Sequence, residues 1–173
     1  METIILPGFS LKNKAWAEKV RTILNSRFPT TVANWAHWET GHAESGWIER
    51  EAEKIVGLIQ NKQVNIVAKS IGTAVAMIIV KLKPDLVNKV ILCGVPVRDL
   101  EKEDKNFYDP LRTFPEDKIL CIQNSNDPHG SYAEAEKFLH SINSRLIVVS
   151  KPRSDHEYPY TDDFINFLQQ GGV

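Results

Sequence analysis

Three short stretches of the chain hold residue types that together could perform acyl transfer. They are a hydroxyl in Ala68-Lys69-Ser70-Ile71-Gly72, a carboxylate in Asn124-Ser125-Asn126-Asp127-Pro128-His129-Gly130, and an imidazole in Ser154-Asp155-His156-Glu157. A serine hydroxyl is a weak nucleophile until a neighbouring imidazole takes its proton, and a carboxylate must fix that imidazole's tautomer and stabilise its charged form. The three groups follow one another in the chain order Ser…Asp…His. Ala-x-Ser-x-Gly is a variant of the Gly-x-Ser-x-Gly turn, with its first Gly replaced by Ala. Small residues are needed two before and two after the Ser, because a strand that turns sharply into a helix leaves no room there for a bulky side chain. Such a turn lifts Ser70 Oγ clear of a sheet and sets it at a helix N-terminus, whose dipole favours developing negative charge. Each residue also has a plainer reading: Ser70 as a helix cap, Asp127-Pro128 as a turn, His156 as a solvated loop residue. Their joint placement at strand ends argues for chemistry.

The elements that must position them alternate along the chain. Near-continuous apolar runs predict strands over Thr3–Leu6, Thr31–Trp35, Val64–Ala68, Lys89–Cys93, Lys118–Gln123 and Arg145–Val149, a pattern suited to a parallel sheet covered on both faces. Between them, one-sided apolar spacing predicts helices over Asn13–Arg27, Gly46–Gln60, Ser131–Ser141 and Tyr160–Gln169. Ser70–Leu82 is apolar almost all round and stops at Lys83-Pro84, which predicts a buried helix against the sheet. The fold class is therefore α/β, a doubly wound, mostly parallel sheet of about six strands, in a single domain over 1–173. In such sheets ligands bind at the carboxyl ends of the strands, and Ser70, Asp127 and His156 each follow one. The one long irregular stretch, Gly94–Asp117, is expected to be functional or to hold a little local structure. It is too short for a large cap. The tail Gln170–Val173 is expected to fray.

Composition removes several classes of function. With 21 basic and 22 acidic residues the net charge is −1, which gives no excess to drive binding to nucleic acid or a membrane surface. No apolar run approaches the ~18 residues of a membrane span. The N-terminus lacks a basic leader and enters a core strand, so no signal peptide is expected. Cys93 and Cys121 both sit in strand-like segments, which argues against a disulfide scaffold and for a reduced, cytoplasmic protein. No phosphate-cradling glycine loop occurs, and no cofactor is expected. His37, Glu39 and His42 match no zinc spacing, so no metal site is expected. Trp35, Trp38 and Trp47, near the end of the second strand, read as a wall of an apolar acyl pocket or as partly exposed core residues. Asp155, beside His156, and Asp99, one strand earlier than Asp127, are the alternative acids. Adjacent residues in a loop usually point apart, which favours Asp127 over Asp155.

On the Ala68–Gly72 turn, Asp127 and His156, the chain resembles the α/β-hydrolase family, specifically its small lidless serine hydrolases of the retinoblastoma-binding-protein type. The resemblance runs from the first strand to the last helix. It implies Ser70 as nucleophile, Asp127 as acid and His156 as base. It also implies an oxyanion hole made by the backbone N–H groups of Phe9 and Ile71. Where the family often has His-Gly in the first loop, this chain has Pro7-Gly8. Gly8, Trp38 and His129 are expected to line the substrate site. The implied activity is hydrolysis of a small carboxylic ester, thioesters and amides being less favoured, with a small-molecule acyl substrate as partner and no nucleic acid or membrane. The alternative, from a different class, is an idle hydrolase-like fold that binds a ligand or another protein.

Overall fold

A computed structural model describes residues 1–170, so residues 171–173 of the expected frayed tail lie outside the described residues. Six strands form one sheet: β1 (Glu2–Leu6), β2 (Thr30–Val32), β3 (Val64–Lys69), β4 (Val87–Cys93), β5 (Ile119–Asn124) and β6 (Val148–Lys151). Their order is β2-β1-β3-β4-β5-β6 and every pairing is parallel. The chain winds outward from β1 to β2, then crosses back past β1 to β3. The strand order thus reverses beside β1 and β3, where such sheets place their ligands. Register brings the strand ends level: Leu6 pairs with Ala68, Lys69 with Cys93, and Asn124 with Lys151.

Side chains alternate across the strands, so each face has its own core. Ile4, Leu6, Ile66, Ala68, Val90 and Leu92 face α3 (Trp47–Ile59), α4 (Gly72–Leu82) and α5 (Tyr132–Ile142). Ile5, Val67, Ile91 and Ile122 face α1 (Asn13–Leu24) and α6 (Thr161–Gln169), through Trp16, Val20, Phe164 and Leu168. Every residue of α4 from Gly72 to Val80 is buried, which explains its all-round apolar sequence. At about 1.5–3 kcal/mol for each large aliphatic side chain removed from water, this helix anchors the turn that precedes it.

Several bounds differ from the expectation, most of all around the edge strands. β2 stops at Val32 rather than running to Trp35; Ala33 N–H still donates to Ile5 O (2.9 Å), and the chain then leaves the edge. This departure turns the Trp35 indole back over the first loop. Residues 37–40, expected as loop, form the single-turn helix α2 (His37–Thr40), closed by Gly41 at φ 81° and entered through Ala36 N–H donating to Glu51 Oε1 (2.7 Å). β6 begins at Val148, not Arg145, because Asn143 turns the chain first: its side chain accepts from Arg145 N–H (3.1 Å). The Gly94–Asp117 stretch holds 3-10 turns at Asp104–Arg112 and Glu116–Lys118, as local structure was expected there. Tyr108, from the first of them, hydrogen-bonds Thr73 Oγ1 on α4 (2.5 Å).

Candidate active site

Ser70 stands between β3 and α4 with φ 56°, a left-handed conformation rare for a side chain with a Cβ. Its N–H donates to Cys93 O (2.9 Å), and its carbonyl accepts from Thr73 N–H (2.9 Å) and Thr73 Oγ1 (2.6 Å). These contacts hold a strained residue in place, a situation that clusters at functional sites. The requirement for glycine two residues later is physical. A Cβ on Gly72 would lie 2.4 Å from Leu6 O and 2.6 Å from Pro7 O, so a side chain would push the helix off the first loop.

That loop is held by rings. Trp35, 1% exposed, donates its indole N–H to Gly8 O (3.1 Å). His37 Nε2–H and Trp38 Nε1–H both donate to Phe9 O (2.8 and 2.7 Å). The Phe9 ring stacks on His37 at 4.4 Å and meets the edge of Trp47 at 5.5 Å. In a trans peptide the C=O and the next N–H point opposite ways, so fixing Gly8 O also fixes the direction of Phe9 N–H. Among the described residues neither Phe9 N–H nor Ile71 N–H has an acceptor. Trp35 therefore belongs to the core and the loop rather than to a pocket wall, while half-buried Trp38 touches the loop directly.

On the other side of Ser70, Asp127 follows β5 and is 1% exposed. Its Oδ2 accepts from His156 Nδ1–H (2.7 Å) and Tyr158 Oη–H (2.6 Å), and its Oδ1 from His129 N–H (2.8 Å). Burial pushes the carboxyl up, but these hydrogen bonds outweigh it and hold Asp127 below the ordinary carboxylate range. A carboxylate can only accept, so His156 carries its proton on Nδ1 and leaves the Nε2 lone pair free. That Nε2 is buried without a partner among the described residues, so the Ser70 hydroxyl is not hydrogen-bonded to it.

The rival carboxylates are engaged elsewhere. Asp155 binds Arg153 Nε–H (2.9 Å) and Glu157 N–H (3.1 Å) at the surface. Asp99 meets His129 Nδ1 (2.5 Å), and the His129 ring lies 4.4 Å from that of His156. The expected site residues Gly8, Phe9, Ser70 and Ile71 thus gather at the ends of β1 and β3. Asp127, His129 and His156 gather beyond β5 and β6. Among the described residues no group of His, Cys, Asp or Glu could hold a metal ion, and no helix is long and apolar enough to cross a membrane.

A sequence model of the family described as "Serine hydrolase" matches residues 3–156. The chain belongs to the serine hydrolase family. No protein with a curated description matches this hydrolase in sequence. Among solved structures it is similar to a meta-cleavage product hydrolase, CumD (TM-score 0.74, 13% identity, 99% of this chain and 92% of that one covered). It is also similar to a serine hydrolase involved in carbazole degradation, CarC (TM-score 0.72, 15% identity, 97% and 90%). A third is an esterase from Thermogutta terrifontis (TM-score 0.70, 14% identity, 98% and 90%). At these identities the likeness is one of fold, and the fold is that of the α/β-hydrolases.

Several residues of this hydrolase's site escape sequence reading. Tyr158 binds Asp127 and accepts from Asn124 N–H (3.1 Å); burial and the neighbouring carboxylate push its hydroxyl far above the usual phenol. Asn124 braces the loop carrying His156, donating to Asp155 O and Glu157 O (both 2.9 Å) and accepting from Tyr160 Oη–H (2.6 Å). Gly94 takes φ 63°, and a Cβ there would lie 2.5 Å from the Tyr158 ring and 3.0 Å from His156 Cε1. Only Gly94 left a signal, as a glycine directly after a buried strand.

Proposed function

We propose that this hydrolase cleaves a small carboxylic ester through an acyl-enzyme on Ser70. The observation that carries the reading is the pair of buried Asp127 with His156, whose Nε2 is unengaged, together with a serine held at positive φ. The reaction requires Ser70 Oγ to reach His156 Nε2. His156 takes the hydroxyl proton as Oγ bonds to the carbonyl carbon, and Asp127 stabilises the imidazolium. The N–H groups of Phe9 and Ile71 receive the oxyanion, each lowering the barrier by about 3 kcal/mol. The C–O bond to the alcohol breaks, and the alcohol leaves with the proton from Nε2. Water then adds to the acyl-enzyme, gives its proton to Nε2, and the acid departs as Ser70 Oγ takes the proton back. Thioesters and amides would follow the same route with poorer fit.

The Gly94–Asp117 stretch lies against α4 and builds no cap, which suits a small acyl group at an open site. Cys93 and Cys121 are buried free thiols, pushed up by burial, Cys121 to about 12, in keeping with a reducing cytoplasmic setting. The unmade Ser70–His156 hydrogen bond favours a second reading, an idle fold that binds without turnover. A series of p-nitrophenyl esters from acetyl to octanoyl separates the two. The proposal expects hydrolysis falling with chain length and reduced about 10⁴-fold or more in Ser70→Ala. A folded protein that turns over none of them would select the second reading.

A further inference from the structure

The proposed mechanism leaves the buried charge of Lys69 unused. Lys69, the residue before Ser70, points to the α1 side of the sheet and is 2% exposed. Its ammonium makes one hydrogen bond, to Asn13 Oδ1 (2.9 Å), and lies 5.5 Å from the centre of the Trp16 ring. Glu157 Oε2 is 3.7 Å away, an ion pair longer than a hydrogen bond. An ammonium has three N–H donors, so two find no acceptor among the described residues. Burying a charge so thinly satisfied is costly, and costly buried groups cluster where a ligand completes them.

The ammonium lines a half-open cavity of about 740 Å³, which Trp16 and His156 line as well. Lys12 and Lys19 line it too, against the single carboxylate of Glu157. The Glu157 side chain is 60% exposed and makes no hydrogen bond of its own among the described residues, so it can yield its place.

We infer that this cavity is a subsite for a leaving group bearing a carboxylate, which displaces Glu157 and takes the two free donors of Lys69. The inference rests on the proposed reaction in one respect: His156 delivers the proton to the departing oxygen, so the cavity it lines holds the alcohol part. The substrate class is then an ester of a small hydroxy acid whose carboxylate reaches Lys69. Burial lowers the proton affinity of Lys69, while Glu157, Cys93 and Asp127 raise it; a bound carboxylate would raise it further.

Two measurements test this. Calorimetric titration with 4-hydroxybenzoate, the alcohol product of such an ester, should show binding at least about tenfold tighter than that of 4-hydroxybenzamide. Lys69→Met should abolish that preference and Glu157→Gln should strengthen it. In turnover, the kcat/KM ratio of 4-acetoxybenzoate to its methyl ester, corrected for the two esters' rates with hydroxide, should fall about tenfold in Lys69→Met and rise in Glu157→Gln. Equal binding of acid and amide, or a preference that survives Lys69→Met, overturns the subsite. Should Lys69→Met not fold, Glu157→Gln decides, and unchanged discrimination there overturns it. Discrimination in binding without any hydrolysis would sink the proposed reaction and leave the subsite standing. Hydrolysis without discrimination would do the reverse.

Discussion

The two flanks of Ser70 are built from different materials. On the β1 side, ring N–H donors act on backbone carbonyls: Trp35 on Gly8 O, and His37 with Trp38 on Phe9 O. On the β5 side, a buried carboxylate collects an imidazole, a phenol and an amide, and an asparagine fastens the loop that carries the imidazole. The first arrangement sets the direction of a peptide, the second the position of a proton. A direction can be fixed by indole N–H groups and apolar packing, which respond little to pH or salt. A proton's position requires charge held out of water, which is costly unless every partner is present.

The comparison breaks first at Asp127. Asp127→Asn would present an amide to His156 and reverse the tautomer preference, and kcat should drop by about 10⁴ with the fold intact, measurable in steady-state ester hydrolysis. Trp35→Phe keeps the ring in the core but frees the Gly8 carbonyl. It should lower kcat by about 10 to 10²-fold with KM nearly unmoved, short of the 10²–10³ for losing an oxyanion donor outright. Equal losses in kcat and in stability would instead make Trp35 a packing residue only.

Tyr158→Phe should cost about 1–3 kcal/mol in denaturant unfolding, since it strips a hydroxyl donor from a buried carboxylate. It should also change the acid limb of stability. Asp127 is depressed in the folded state below its ordinary value near 3.8, so its contribution is complete above that value and is lost as pH falls through and below it. Without the Tyr158 hydroxyl the folded value rises and that contribution shrinks, so the variant should lose less stability than the wild type between pH 5 and the acid midpoint. The smallest effect belongs to Asp99→Asn. Its pair with His129 is half exposed, so unfolding free energy should move by at most about 1 kcal/mol and kcat by less than about threefold. A large loss of kcat there would return Asp99 to the reacting groups.

These residues also mark how far the sequence could be read. Strand runs such as Val64–Lys69 and the all-apolar α4 are legible because burial on both faces leaves no polar position to confuse the period. Ser70 and Asp127 are legible as candidates because each follows such a strand, and His156 completes the expected order after the edge strand β6. The supports are not, because they act across the chain. Trp35 lies 27 residues from Gly8, and Tyr158 lies 31 from Asp127. Nothing in Trp35-Ala36-His37-Trp38 announces that its ring N–H groups reach the first loop. Edge strands fared worst: β2 and β6 are short and partly exposed, so hydrophobic runs next to them blurred their ends.

The proposed reaction requires Ser70 to be an armed nucleophile. Treating the purified protein with a fluorophosphonate and mapping the adduct by mass spectrometry tests it without knowledge of the substrate. The account predicts a single adduct on Ser70, absent in Ser70→Ala and slowed by orders of magnitude in Asp127→Asn. A folded wild-type protein that stays unlabelled, or one labelled equally in the Ser70→Ala variant, would contradict it.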